Sequence, residues 1–231
     1  MRDQYAGDVT DAVKFALLRR LAGSDRRLGI VWYYDPAHDG STDGGHVGWQ
    51  EDDSWSRVDA EVHRALVSLP ERSVAAIEAS ALWPEWVTFF RAPVPAGGQR
   101  RYQWARAARA DVAESSVVFL DPDNGPAFTA SVKHATYTEI RRFRQPGRVV
   151  VVVRFPNRSA SHDDQVHRGQ QLLIEEADAG TVVTLRVMIS SASRSRIVWF
   201  DVIDPDRVTL SRLDQFASEV SELPRAKAYV V

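Results

Sequence analysis

The chain has 231 residues, 44% of them hydrophobic, enough to fill one large core or two small ones. Its formal net charge of -2 excludes a globally basic nucleic-acid binder while leaving room for a local basic face. The absence of cysteine excludes disulfide staples, thiol nucleophiles and cysteine-bound zinc, and no apolar N-terminal run resembles a signal peptide or membrane span, so a cytoplasmic protein without membrane contact is expected.

Residues 1–23 carry a helix, with Val9, Val13, Leu17 and Leu18 at helical spacing, Asp8 or Thr10 to cap its start and a polar segment before it. Tyr5 and Lys14, with Asp3, Gln4 and Gly7, are either solvated cap residues or the lining of a site. Residues 28–34 form a candidate buried strand that runs into a polar, glycine-bearing loop over 35–46. Glycines there let backbone approach a ligand, and carboxylates can hold ribose hydroxyls or a metal, which makes Asp35, Asp39 and Gly40 candidate cofactor contacts. His38 and His46 are candidate ligands or proton carriers, or merely solvated. The loop matches neither the Gly-x-Gly-x-x-Gly fingerprint nor a calcium loop.

A helix over 54–69 follows, its stripe of Val58, Val62, Leu66 and Leu69 facing a core. Residues 72–78 read as a short strand ending in Glu78, a position from which a carboxylate grips a ribose. A brief strand over 87–91 leads through a turn to a helix over 99–114, whose Arg100, Arg101, Arg106, Arg109, Tyr102 and Trp104 make either a phosphate-binding face or a solvated one.

The apolar run Val117-Val118-Phe119-Leu120 then breaks into Asp121-Pro122-Asp123-Asn124-Gly125-Pro126. A strand without polar alternation is covered on both faces, as in a parallel sheet, and such sheets bind ligands beyond their carboxyl ends. Asp121, Asp123 and Asn124 would thus enter a crevice, unless the segment is only a good turn. A helix over 132–143 with Lys133, His134 and Tyr137 precedes a strand over 148–153, beyond which Arg154 and Arg158, with Asn157, His162 and Gln165, are candidate substrate contacts. Antiparallel strands over 182–189 and 196–202 and a helix over 210–223 complete the chain. The expectation is one domain over 1–231, with 28–34, 72–77, 117–120 and 148–153 as parallel neighbours sharing one crevice.

Strands separated mainly by helices and closed by an antiparallel pair resemble the Rossmann-like class I methyltransferase fold. The segment Tyr5-Ala6-Gly7-Asp8-Val9-Thr10-Asp11-Ala12-Val13-Lys14, followed by Val31-Trp32-Tyr33-Tyr34-Asp35, is similar to the opening of the bacterial large-subunit ribosomal RNA adenine methyltransferases, and Leu120-Asp121-Pro122 resembles the start of their Asp-Pro-Pro-Tyr motif. The resemblance implies S-adenosylmethionine held by Glu78 and the loop from Asp35 to Gly40, with Asp121 orienting an exocyclic amine of RNA, DNA or a nucleotide. Asp123 and Asn124 replace the motif's Pro-Tyr, so its stacking aromatic is missing. Two alternatives stay open. One is a phosphodiesterase binding magnesium or manganese through Asp39, Asp121 and Asp123, with His46 or Lys14 moving protons. The other is an inactive fold serving as a binding module.

Overall fold

The computed structural model describes residues 1–37, 44–190 and 195–231. In chain order its elements are α1 (Val9–Ala22), β1 (Leu28–Trp32), α2 (Ala60–Val67), α3 (Val74–Ala79), β2 (Val87–Phe90), α4 (Gly98–Asp111), β3 (Val117–Asp121), β4 (Gly125–Ala127), β5 (His134–Thr136), α5 (Tyr137–Phe143), β6 (Val149–Arg154), α6 (His162–Glu176), β7 (Val182–Ser190), β8 (Ser195–Ile203), α7 (Arg207–Ser221) and β9 (Ala226–Val230). Short 3-10 turns cover Asp3–Tyr5, Gly48–Glu51 and Asp53–Arg57.

The main sheet runs β2-β1-β3-β6-β8-β7-β9. Its first four strands are parallel, and the remaining three join antiparallel. Alternation along each central strand divides the core between two faces. Ile30, Trp32, Val117 and Phe119 pack with Phe15, Leu17, Leu213 and Phe216 of α1 and α7. Val31, Tyr33, Val118 and Leu120 pack with Trp104, Ala108, Ile140 and Phe143 of α4 and α5. With helices on both faces, every residue of β1 and β3 is buried, which is why these strands read as unbroken apolar runs.

The expected α/β architecture is present, and the differences have local causes. Residues 72–78 are not a strand. Ser73 caps α3 by accepting from the backbone N–H of Ala76, and Val74 and Ile77 are buried one helical turn apart. The strand beside β1 is instead β2. The helix expected over 54–69 is divided because Asp52 and Asp59 each cap a separate turn. The one expected over 132–143 begins only at Tyr137, where Thr136 and Glu139 form a capping box, leaving His134 to Thr136 as a strand. Ser161 caps a helix, α6, where the sequence reading places no element, and β9 extends the terminal strand pair to three.

Candidate functional site

The site is built on the carboxyl end of β3. Asp121 lies in register with Trp32 at the end of β1, and Pro122, lacking an N–H, stops the ladder there. Gly125 turns the chain at φ +90°, and a Cβ on it would stand 3.0 Å from Cγ of Arg154, so the turn requires glycine on both counts. The chain then enters β4, which pairs in parallel with β5. The N–H of Asn124 donates to the carbonyl of Lys133 at 2.9 Å, which brings Lys133 alongside the turn. Beneath this ribbon the buried Arg101 pairs with Glu139 at 2.6 Å and donates to the carbonyls of Pro95, Ser131 and His134.

The facing wall is the start of α1. Asp8 caps the helix by accepting from the N–H groups of Thr10 and Asp11. Asp11 accepts from the N–H of Gly7 at 2.9 Å. Because α1 is buried around most of its circumference, Asp8, Asp11 and Lys14 are all withdrawn from water. Nζ of Lys14 stands 2.9 Å from Oδ1 of Asp11 and 3.0 Å from Oδ1 of Asp121, crosslinking α1 to β3. Burial alone would lower the pKa of this ammonium, but Asp11 and Asp121 more than reverse the effect and hold it above its ordinary value. Burial raises the pKa of Asp8, Asp11 and Asp121, opposed in each case by Lys14. Asp123 lies 2.7 Å from the ammonium of Met1 through Oδ1, while its buried Oδ2 accepts no hydrogen bond among the described residues and lies 3.9 Å from Nε of Arg2.

These groups open into a cavity of about 590 Å³ whose wall also includes Tyr5, Asn124, Lys133, Phe155, Arg158 and Arg196. Arg196 reaches to 3.9 Å from Asp8 and is shared with a neighbouring cavity of about 360 Å³, bounded by Trp49, Trp55 and His46. The structure therefore gathers Tyr5, Lys14, Asp121, Asp123, Asn124 and Arg158 at one site and puts His46 next door.

Other expected site residues lie elsewhere. Glu78 is on α3 rather than at a strand end, with Oε1 accepting from Nε1 of Trp32 at 2.8 Å and Oε2 lying 3.2 Å from Nε of Arg91. Asp35 is tied to Arg2 at 2.8 Å. Arg154 is turned away into a bidentate pair with Asp201. Asp39, Gly40 and His38 lie outside the described residues. Among the described residues no group of three or more His, Asp or Glu is disposed to hold a metal ion, and the Lys14 ammonium sits between the carboxylates of Asp11 and Asp121.

Asp11, Phe155 and Arg196 are site residues that the sequence pattern does not mark, and Asp8 and Lys133 stand out in it only as a helix cap and a helix residue. The Asp11 and Lys14 pair carries a signal in the sequence, since residues three apart share a helix face.

Fold and site together define an α/β protein with a mostly parallel sheet and a polar cavity at the carboxyl ends of its strands. It is similar in structure to protein LPL1258 from Legionella pneumophila, of the family model DUF519, with a TM-score of 0.52 at 10% sequence identity over 98% of this chain and 97% of that one. At that identity the likeness shows the fold alone. No family model matches the chain, and no curated protein matches it. No helix among the described residues is long and apolar enough to cross a membrane.

Proposed function

We propose that this protein is a methyltransferase-like enzyme that uses S-adenosylmethionine to methylate an amine. The observation that carries the reading is Asp121 itself: a buried carboxylate at the end of the central strand, fixed by Lys14 and facing a polar cavity. Each carboxylate oxygen can accept more than one hydrogen bond, so Asp121 can hold Lys14 and still accept from an amine N–H. Burial also raises its proton affinity, which suits it to take the proton the amine releases.

The residues fit the implied cofactor at one end. The acidic floor suits an ammonium group: Oδ2 of Asp123 accepts no hydrogen bond among the described residues, with Nε of Arg2 3.9 Å away, and Asp123 would hold the group there. The ribose grip that the resemblance assigns to Glu78 is not formed, because both carboxylate oxygens of Glu78 are engaged by Trp32 and Arg91. When bound, the cofactor supplies an electrophilic methyl group on a sulfonium. The task of the chain's own residues is to orient the acceptor nitrogen at Asp121 and keep Lys14 protonated beside it.

Titration calorimetry with S-adenosylmethionine and S-adenosylhomocysteine tests the proposal. Binding is expected with both, weakened by Asp123→Asn and little changed by Glu78→Gln. No heat from either compound would reject it.

A further inference from the structure

We propose that the smaller cavity beside the site, bounded by Trp49, Trp55 and Arg196, binds a small aromatic monocarboxylate, its ring against the two indoles and its carboxylate met by Arg196 and Arg225. The inference stands apart from methyl transfer, because none of these four side chains has a part in the function proposed above.

The cavity has a volume of about 360 Å³, at the small end of the range for ligand pockets. Its aromatic wall is fixed by hydrogen bonds as well as by packing. Nε1 of Trp49 donates to the carbonyl of Gly7 at 3.2 Å, and the Trp55 ring meets the Trp49 ring edge-on, with centroids 6.1 Å apart and planes at 75°. Asp52 caps the turn that carries Trp55 by accepting from the N–H of Ser54 at 3.0 Å. Elsewhere in the wall the N–H of Ser190 donates to the carbonyl of Arg225 at 2.7 Å, which fastens the end of β7 to the segment that enters β9. Walls held in this way need little further ordering when a flat ring enters.

Strand register explains why a cation stands in apolar surroundings. Arg196 of β8 is paired with Ile189 of β7, and Ile189 with Ala226 of β9, so the three side chains emerge on one face of the sheet. Ile189 and Ala226 are buried there in the core, while the Arg196 side chain stays 34% exposed. Its Nε is buried without a hydrogen-bond partner among the described residues. Asp8, whose Oδ1 accepts from Thr10 and Asp11, comes no nearer to Arg196 than 3.9 Å, beyond hydrogen-bonding distance. A guanidinium in that state lacks the acceptors that water would give it. Arg225 is exposed and makes no ion pair among the described residues.

Asp52 is the one carboxylate in the lining among the described residues. Hydrogen bonding from Ser54 lowers its pKa against partial desolvation, and the charges of Arg225 and His63 add to the effect, so it is ionised at neutral pH. Two arginines against one aspartate leave a single positive charge, which a monoanion balances and a dianionic phosphate ester overshoots. The planar fork of a guanidinium also matches a carboxylate.

The test is titration calorimetry on the full chain with 1-naphthoate, 1-naphthylmethanol and 1-naphthyl phosphate. Naphthoate should bind about tenfold more tightly than the alcohol, which has the same ring and no charge. Arg225→Gln should remove most of that preference and leave binding of the alcohol unchanged. Trp55→Leu should weaken both ligands by about fivefold. Trp55 is buried, so this variant is read together with Arg225→Gln, whose exposed side chain can be changed without disturbing the core. Lys133→Ala alters the wall of the larger cavity alone and should change neither affinity. Equal affinity for acid and alcohol, no affinity for either, or a loss in Lys133→Ala as large as that in Arg225→Gln would overturn the inference. Tighter binding of naphthyl phosphate than of naphthoate would overturn the assignment to a monocarboxylate.

Discussion

Two buried ion pairs, one within the sheet and one joining the sheet to α1, differ in one respect. Arg154 on β6 and Asp201 on β8 form a closed unit. The guanidinium makes two parallel bonds of 2.8 and 2.9 Å to the carboxylate, gives a third to the carbonyl of Gln165, and lies 4.7 Å from the centre of the Trp199 ring. Thr184 donates to the same carboxylate, and Gly169 leaves room for the arginine, since a Cβ there would stand 2.7 Å from its Cζ. The pair between Lys14 and Asp121 is as deeply buried but unfinished: it shares its ammonium with Asp11 and opens on a cavity beside an oxygen of Asp123 that accepts no hydrogen bond among the described residues. Burial of charge is common to both. Incomplete satisfaction next to open space is what separates a site from a structural brace.

Breaking the closed pair should have the largest effect. Arg154→Met leaves Asp201 buried without its partner and should cost about 3–5 kcal/mol in chemical denaturation. A loss of under 1 kcal/mol would show that the pair is not the brace described here. Asp121→Asn should act in the opposite way. It keeps shape and an acceptor for Lys14, so stability should fall far less than in Arg154→Met, whereas methyl transfer should drop by about a hundredfold or more. Full activity in Asp121→Asn would place the chemistry elsewhere.

A smaller effect sharpens the comparison from the flank of the site. Thr136→Ala removes one half of the capping box at α5 and should cost about 1 kcal/mol. Because Glu139 of that box also holds Arg101, and through it the carbonyls of Ser131 and His134, faster amide exchange in the β4–β5 ribbon should accompany the stability loss.

The smallest effect is in pH dependence, where two carboxylates should have opposite signs. Asp206 caps α7, and although partial desolvation opposes it, the bonds from Thr209 and Arg26 bring its pKa down to about 2. Its contribution to stability is complete above pH 3.8 and is lost as pH falls toward 2, so Asp206→Asn should flatten the acid side of the stability curve. Burial raises the pKa of Asp121, so in the window above 3.8 the folded state keeps a proton that the unfolded chain has released, and this contribution declines as pH rises through that window. Denaturant titrations of both variants across this range would expose either slope.

The frame of the fold was legible where burial on both faces leaves no polar alternation, as at 28–34, 117–120 and 148–153. It was illegible where local chemistry overrides the pattern. Residues 72–78 are apolar enough for a strand, but a Ser73 cap and two adjacent alanines make them helical. Half of the site could be seen because Asp121 and Asp123 interrupt an apolar run. The other half could not, because Asp8 and Asp11 look like ordinary residues of a helix start until that helix is known to be buried. Lys14 and Arg154 looked equally functional in the sequence, and only the partners around them distinguish the two.

The position of β3 has a further consequence. It pairs with β1 on one side and β6 on the other, and each of its five residues is buried. Its amides should therefore be among the slowest in the chain to exchange with deuterium, opening only when the whole molecule unfolds. The carboxyl group of Asp121 would then rest on the last part of the protein to loosen, so fraying of surrounding loops would alter access to the cavity without moving the carboxyl group itself.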